Sequence, residues 1–422
     1  MMQLKLIIFI FILNVLTLTV NAKNEEYIGY KVYNVKLNST EQEDKLHKIK
    51  NDFIDYWRKP SFKYNIIGQA MVPPAQTTWF EERLGELGVP KDIYIDDVYK
   101  YLLFREETSL DMSRNGDNNT FTFNDYYRYS QILDYIRTLE ETYKNSTDIT
   151  LNVIEAGTTA EGRHLTYIKL TNQTPTVNKG IIIIEAGINP RQWITIPSSL
   201  NIVNKLINSN DKRFLNDFEW IVIPVLNPDG YEYTHTNLRL WMKSRSTRSN
   251  LGAICPGVNI NRNFNIDWLN SDSSSSPCSH LYGGTGAFSE VESRIVQSLF
   301  EEYGNRIRAY ISLQNNGGFI SYPWQYERAA SGLFAQHHIL GMKMIAAMED
   351  SYELDIASVA YGDRASGTST DYMRSRGVLY TFNIDVVPRG QDGVIVPREE
   401  IQTIADDVWR AVSVVAENLI QL

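Results

Sequence analysis

Cysteine is nearly absent from this chain: two residues, Cys255 and Cys278, in 422. Two thiols exclude a multi-disulfide scaffold, and their separation excludes a C-x-x-C redox or zinc motif. Histidine is also scarce, with six residues, and none forms an H-x₃-H pair. His337 and His338 are adjacent on a predicted helix and point about 100° apart. His47, His164, His235 and His280 are isolated, so structural or surface roles are expected for all six. Runs of Lys and Arg are missing, and the formal net charge is −9. Nucleic acid and anionic membrane surfaces are therefore not expected as partners. No segment reaches the ~20 apolar residues that cross a bilayer. There is no internal repeat, and no low complexity beyond "SDSSSS" (271–276).

What is present begins with a leader. "MMQLK" supplies a positive charge, "LIIFIFILNVLTLTV" a short apolar core, and "VNA" small residues at the cleavage positions. This pattern predicts a secretory signal, residues 1–22, and an extracellular protein. In a secreted chain Cys255 and Cys278 are expected to form one disulfide that clamps a loop. Asn38, Asn118, Asn145 and Asn172 each head an N-x-S/T sequon and are candidate glycosylation sites.

Residues 23–103 read as a small α+β unit. "YKVYNVKL" alternates as a strand, "EQEDKLHKIKNDFIDYW" (41–57) has helical spacing, "GQAMVPP" is extended, and "TTWFEERLGEL" is a second helix before "DIYIDDVYKYL". Residues 104–118 are polar, include Arg105 and Arg114, and read as a linker open to an activation cut. From 119 to 422 strands and helices alternate, which predicts an α/β domain around a mixed, mostly buried sheet. Helices are predicted at 130–143, 197–208, 289–303 (with a Ser289–Glu292 capping box) and 397–420. Strands are predicted at 181–186, 219–226, 309–314 and 378–384.

Four stretches lie at or near the ends of these strands, where α/β sheets place their functional groups: "GINPRQWIT", "NPDGYEYTHTNLRLWMKSRS", "ISLQNNGGFISYPW" and "YTFNID". With "NINRNF" and the two cysteines, they resemble the zinc carboxypeptidases of the pancreatic A/B type, which are made as zymogens. The resemblance covers nearly the whole chain and implies a carboxypeptidase-like domain behind a ferredoxin-like propeptide. It places the zinc ligands at Asn189, Gln192 and Gln314, the general base at Asp385, the carbonyl-polarising arginine at Met242 and the closing tyrosine at Asp363. Tyr361 could take that last role only if its loop shifted. A side-chain amide is a poor donor for zinc, which favours imidazole, thiolate and carboxylate. No cofactor is therefore expected here, although zinc is the family's metal.

The resemblance also implies that Asn261 and Arg262 grip a peptide's terminal carboxylate, that Arg191 and Arg239 flank the substrate path, and that Thr370 meets the C-terminal side chain. Two readings stay open for the arginines: they bind a ligand, or they pair with Asp363 or Asp385 inside an empty cleft. The expected function is a secreted, catalytically inactive relative that binds peptide or protein C-termini. An active carboxypeptidase with altered chemistry, and an interaction protein whose cleft is filled by its own propeptide, are the alternatives. Finally, a cis peptide bond is expected at Val387–Pro388, beside the base position.

Overall fold

The computed structural model describes residues 22–422 apart from 50, 114–120, 174–177, 209, 316 and 390–393. Residues 1–21 of the expected leader and Asn118 therefore lie outside the described residues.

The amino-terminal unit is an antiparallel sheet in the order β2 (Asp55–Arg58), β3 (Gly68–Val72), β1 (Lys31–Val35), β4 (Lys91–Ile95). Side chains alternate between its faces. Tyr33 and Val35 pack with Leu46, Phe80 and Leu84 of helices Thr40–His47 and Thr77–Glu86. Val32, Trp57 and Met71 share a second apolar cluster with Leu238 and Leu240 of the larger domain. The helix expected over 41–57 stops at His47, and Asp55–Arg58 is a strand. Asn51 breaks it: its side-chain oxygen accepts the Phe53 N–H at 2.9 Å, a local turn that competes with helix. The 104–118 stretch differs as well, because a helix anchored by buried Val98 and Leu102 runs from Val98 to Ser113. Residues 114–118 lie outside the described residues.

The larger domain holds β5 (Ile149–Thr158), β6 (His164–Asn172), β7 (Gly180–Glu185), β8 (Phe218–Ile223), β9 (Ile307–Gln314), β10 (Phe319–Tyr322), β11 (Glu353–Ile356) and β12 (Tyr380–Asp385). They form one mixed sheet, β11-β10-β12-β9-β7-β8-β6-β5, whose central four strands are parallel. The isoleucine run explains why the sheet is covered on both sides. Ile182 and Ile184 join the core beneath helices Tyr129–Tyr143, Thr195–Asn208, Phe334–Ala347 and Ile401–Ile420. Ile181 and Ile183 join a separate core beneath Val291–Tyr303 and Ser369–Ser375. Each such side chain contributes ~1.5–3 kcal/mol on burial. In the last helix Ile401, Ile404, Val408, Val412, Val415 and Leu419 are all buried, as their spacing predicts.

Two local expectations fail. The capping box is not made: the N-cap of Val291–Tyr303 is Glu290, and the Ser289 hydroxyl instead accepts from Asn263 Nδ2 and donates to Glu290, at 3.0 and 2.9 Å. The Val387–Pro388 bond is trans, and the cis bond among the described residues is Pro323–Trp324. Proline lowers the cost of a cis bond, yet trans remains favoured by ~0.5–1 kcal/mol.

Candidate functional site

The site forms where β7, β9 and β12 end. Gly187 turns the chain out of β7 with φ +63°, and a Cβ there would meet Val225 Cα at 3.0 Å, so only glycine is comfortable. The turn that follows is closed by the Gln192 N–H on the Asn189 carbonyl at 3.1 Å. β9 and β12 run parallel with Gln314 beside Asp385. Asn189, Met242, Asn261, Arg262, Gln314, Tyr361 and Asp363 all line one cavity of about 270 Å³. Residues of the amino-terminal unit, His47, Asp55 and Lys59 among them, form its other wall.

The amides are used inside the protein. Gln314 Nε2 donates to Ser312 Oγ at 2.7 Å, and Ser312 donates on to Glu185 Oε1 at 2.7 Å. Glu185 is fully buried and also accepts the Tyr310 hydroxyl; burial pushes its carboxyl above the ordinary range. Gln192 Nε2 donates to the Asn315 carbonyl at 3.2 Å. Asn189 Oδ1 and Gln192 Oε1 are buried without a hydrogen-bond partner. Neutral amides, two of them presenting N–H groups to protein acceptors, do not make a zinc donor set. Among the described residues no three His, Cys, Asp or Glu side chains cluster closely enough to hold a metal ion.

The base position is closed as well. Asp385 is fully buried, and desolvation raises its carboxyl to about 7 although Tyr361 donates to Oδ1 at 3.2 Å. Asp385 Oδ2 has no partner, and a Cβ on Gly317 would come within 2.2 Å of it. Tyr361 is held by this bond. Burial and Asp385 drive its phenol well above its ordinary range, so it stays protonated and donates to that carboxylate.

The arginines are all engaged, and not by Asp363 or Asp385. Arg191 is buried and makes a bidentate pair with Asp55 of β2 at 2.5 and 3.1 Å. Arg239 lies 3.9 Å over the Trp193 ring and donates to the Arg191 carbonyl at 2.8 Å; burial lowers its pKa to about 10. Arg262 donates through Nε to the Asp272 carbonyl (2.7 Å) and through Nη2 to Asp272 Oδ2 (3.2 Å), while Nη1 donates to the Asn261 carbonyl (2.8 Å). Asn261 Oδ1 accepts the Ser369 N–H at 3.0 Å. Asp363 is occupied by Lys59 Nζ at 3.2 Å, and the same ammonium lies 2.9 Å from Asp272. Thr370 is buried on Ser369–Ser375 and does not line the cavity.

Sequence reasoning missed Asp55, Lys59 and Asp272. Asp55 and Lys59 belong to a stretch whose spacing reads as helix and its exit. Asp272 hides in the serine-rich loop. The pointer to it was the cysteine pair: the disulfide Cys255–Cys278 is formed, and its loop holds Asn261, Arg262 and Asp272. Buried His337 and half-buried His235 make contacts within the fold, whereas His47 and His280 line the cavity. His337 bonds the Leu333 carbonyl and the Thr381 N–H, and His235 stacks on Trp193 at 4.0 Å.

Comparison with known proteins covers both domains. Residues 132–411 match the family described as zinc carboxypeptidase, and residues 33–103 match the carboxypeptidase activation peptide. Carboxypeptidase B of Helicoverpa zea is 32% identical over 413 residues, covering 94% of this chain and 95% of that protein. Carboxypeptidase A2 of Mus musculus is 28% identical, covering 94% and 95%. The crystal structure of carboxypeptidase A from Helicoverpa armigera superposes with a TM-score of 0.85 at 26% identity, covering 93% of this chain and 98% of that one. With sheet, site framework and activation domain all in place, this chain belongs to the zinc carboxypeptidase family of the pancreatic and insect A/B type.

Proposed function

We propose that this chain is a secreted, catalytically silent member of the family, which binds polypeptide C-termini without cleaving them. The observation that carries this reading is the amide set at the metal positions, with Gln192 and Gln314 donating to protein acceptors. Hydrolysis in such a site needs a polarised carbonyl and an activated water. Here Met242 offers no donor, and the carboxyl at the base position is buried. The binding framework is better kept. Arg262 and Asn261 line the cavity, and a guanidinium beside an amide can engage both oxygens of a carboxylate.

The fit of the amino-terminal domain favours a second reading, in which the cleft stays shut and the protein acts through its surface. Asp55 on Arg191 and Lys59 on Asp272 and Asp363 fill the cleft from that side. The experiment that separates the two uses the full chain cut at a protease site placed within residues 114–118. Peptides with free C-termini should bind more than tenfold tighter than their C-terminal amides, matching ~2 kcal/mol for a charge-assisted contact. Arg262→Ala should remove the difference, and Asp272→Asn, which frees Arg262, should enlarge it. Equal binding of acids and amides, or none, leaves the closed-cleft reading.

A further inference from the structure

We propose that the Asp272–Asp363 pair is an ammonium subsite, which accepts a lysine-type side chain of the bound polypeptide and is held by Lys59 until the amino-terminal domain leaves. This deepens the proposed function, and rests on it, by naming what the ligand carries. Three observations converge. First, the occupant is present: Lys59 Nζ lies 2.9 Å from Asp272 Oδ1 and 3.2 Å from Asp363 Oδ2. Lys59 reaches this point from the residues just after β2, outside the carboxypeptidase domain.

Second, the charge is not balanced without it. Arg262 pairs with Asp272 at 3.2 Å, and among the described residues the other Asp363 oxygen accepts only a backbone N–H, from Arg364 at 2.7 Å. Removing the Lys59 ammonium while the amino-terminal domain stays seated leaves two carboxylates and one guanidinium in a site where each side chain is no more than about one-fifth exposed. Burying such a net charge is costly, so a replacement cation is favoured. Third, there is room beside it: Lys59, Asp272 and Asp363 all line the cavity of about 270 Å³ that also holds Arg262. A ligand with a carboxylate for Arg262 and an ammonium for the aspartates could fill both positions at once. Lysine's compact, rotatable ammonium suits two carboxylates that converge on a point; a planar guanidinium suits one carboxylate bidentately, in its own plane.

The test keeps the full chain. Lys59→Ala removes the ammonium and three carbons, and n-propylammonium chloride replaces what was removed. Calorimetric titration should show one site in Lys59→Ala that binds n-propylammonium at least tenfold tighter than the unsubstituted chain does. n-Propanol, which lacks the charge, should not bind there measurably. Adding Asp272→Asn to Lys59→Ala should abolish the site. Lys59→Met, which refills the volume without charge, serves as the folding control and should show no n-propylammonium site. Equal binding of n-propylammonium and n-propanol by Lys59→Ala, or no difference between that variant and the unsubstituted chain, would overturn the subsite. Neither result depends on the preference for peptide acids over amides, so the subsite and the carboxylate grip can fail separately.

Discussion

Asp55→Asn is the sharpest single perturbation of how the activation domain is seated. Asp55 and Arg191 have side chains only 10% and 8% exposed and share two hydrogen bonds. Burial disfavours the Asp55 carboxylate, but Arg191 and His280 more than offset this and hold its pKa below the ordinary value. Asparagine keeps the shape and leaves the guanidinium without a counter-charge. Removing one partner of a buried pair costs ~3–5 kcal/mol, which corresponds to at least about a hundredfold in a dissociation constant. The assay cuts the chain at a site placed within 114–118 and measures the affinity of the released domain for the remainder. Asp44→Asn is the control, since that carboxylate is exposed and 4.0 Å from Arg328, a contact worth at most ~1 kcal/mol. A loss below about fivefold for Asp55→Asn, or one equal to the control's, would refute the claim that this pair anchors the domain. The pH dependence has a definite sign. A depressed carboxyl pKa stabilises the docked state above the ordinary carboxyl range, and that contribution is lost as pH falls through the depressed value. Docking should therefore weaken in acid.

Three further predictions follow from the buried carboxylates and the loop. Asp385 is raised to about 7, so the folded state binds the proton more tightly and stability falls as pH rises from about 4 to 7; Asp385→Asn should raise the melting temperature at pH 8 and much less at pH 5. The Asp272 side chain is about one-fifth exposed in charge-paired surroundings; desolvation opposes its ionisation, but Lys59 and Arg262 lower it to about 2. Its contribution should be present above pH 4 and lost between about pH 4 and 2, a dependence that Asp272→Asn removes from the thermal unfolding profile. Cys255→Ser with Cys278→Ser opens a loop spanning 23 positions. By the chain-entropy relation this costs ~3 kcal/mol, and it should also loosen the Lys59 contact, because Asp272 sits in that loop.

Periodicity and composition gave the large elements because those signals are local. A run of four isoleucines bounded by glycines reads as a strand covered on both faces, and the apolar spacing of 401–420 reads as one face of a helix. The amides at 189, 192 and 314 were legible because the resemblance fixes their positions in short motifs. The contacts that occupy the cleft were not. Lys59 and Asp363 are 304 positions apart, and neither stretch carries a pattern that announces the other. The choice of Asp272 over Asp363 for Arg262 likewise depends on how one loop folds back. The strand at Asp55–Arg58 was hidden because helical spacing continued past Asn51, and the Asn51 turn together with pairing to β3 decided against it.

The central claim is that the family's metal centre has been replaced by amides, and metal content tests it most directly. The full chain, purified and dialysed against a mild chelator, should carry well under one zinc per molecule by elemental analysis. Asn189→His, Gln192→Glu and Gln314→His together should restore stoichiometric binding, since they supply the neutral imidazole and carboxylate donors zinc prefers. One tightly held zinc in the unsubstituted protein would contradict the account.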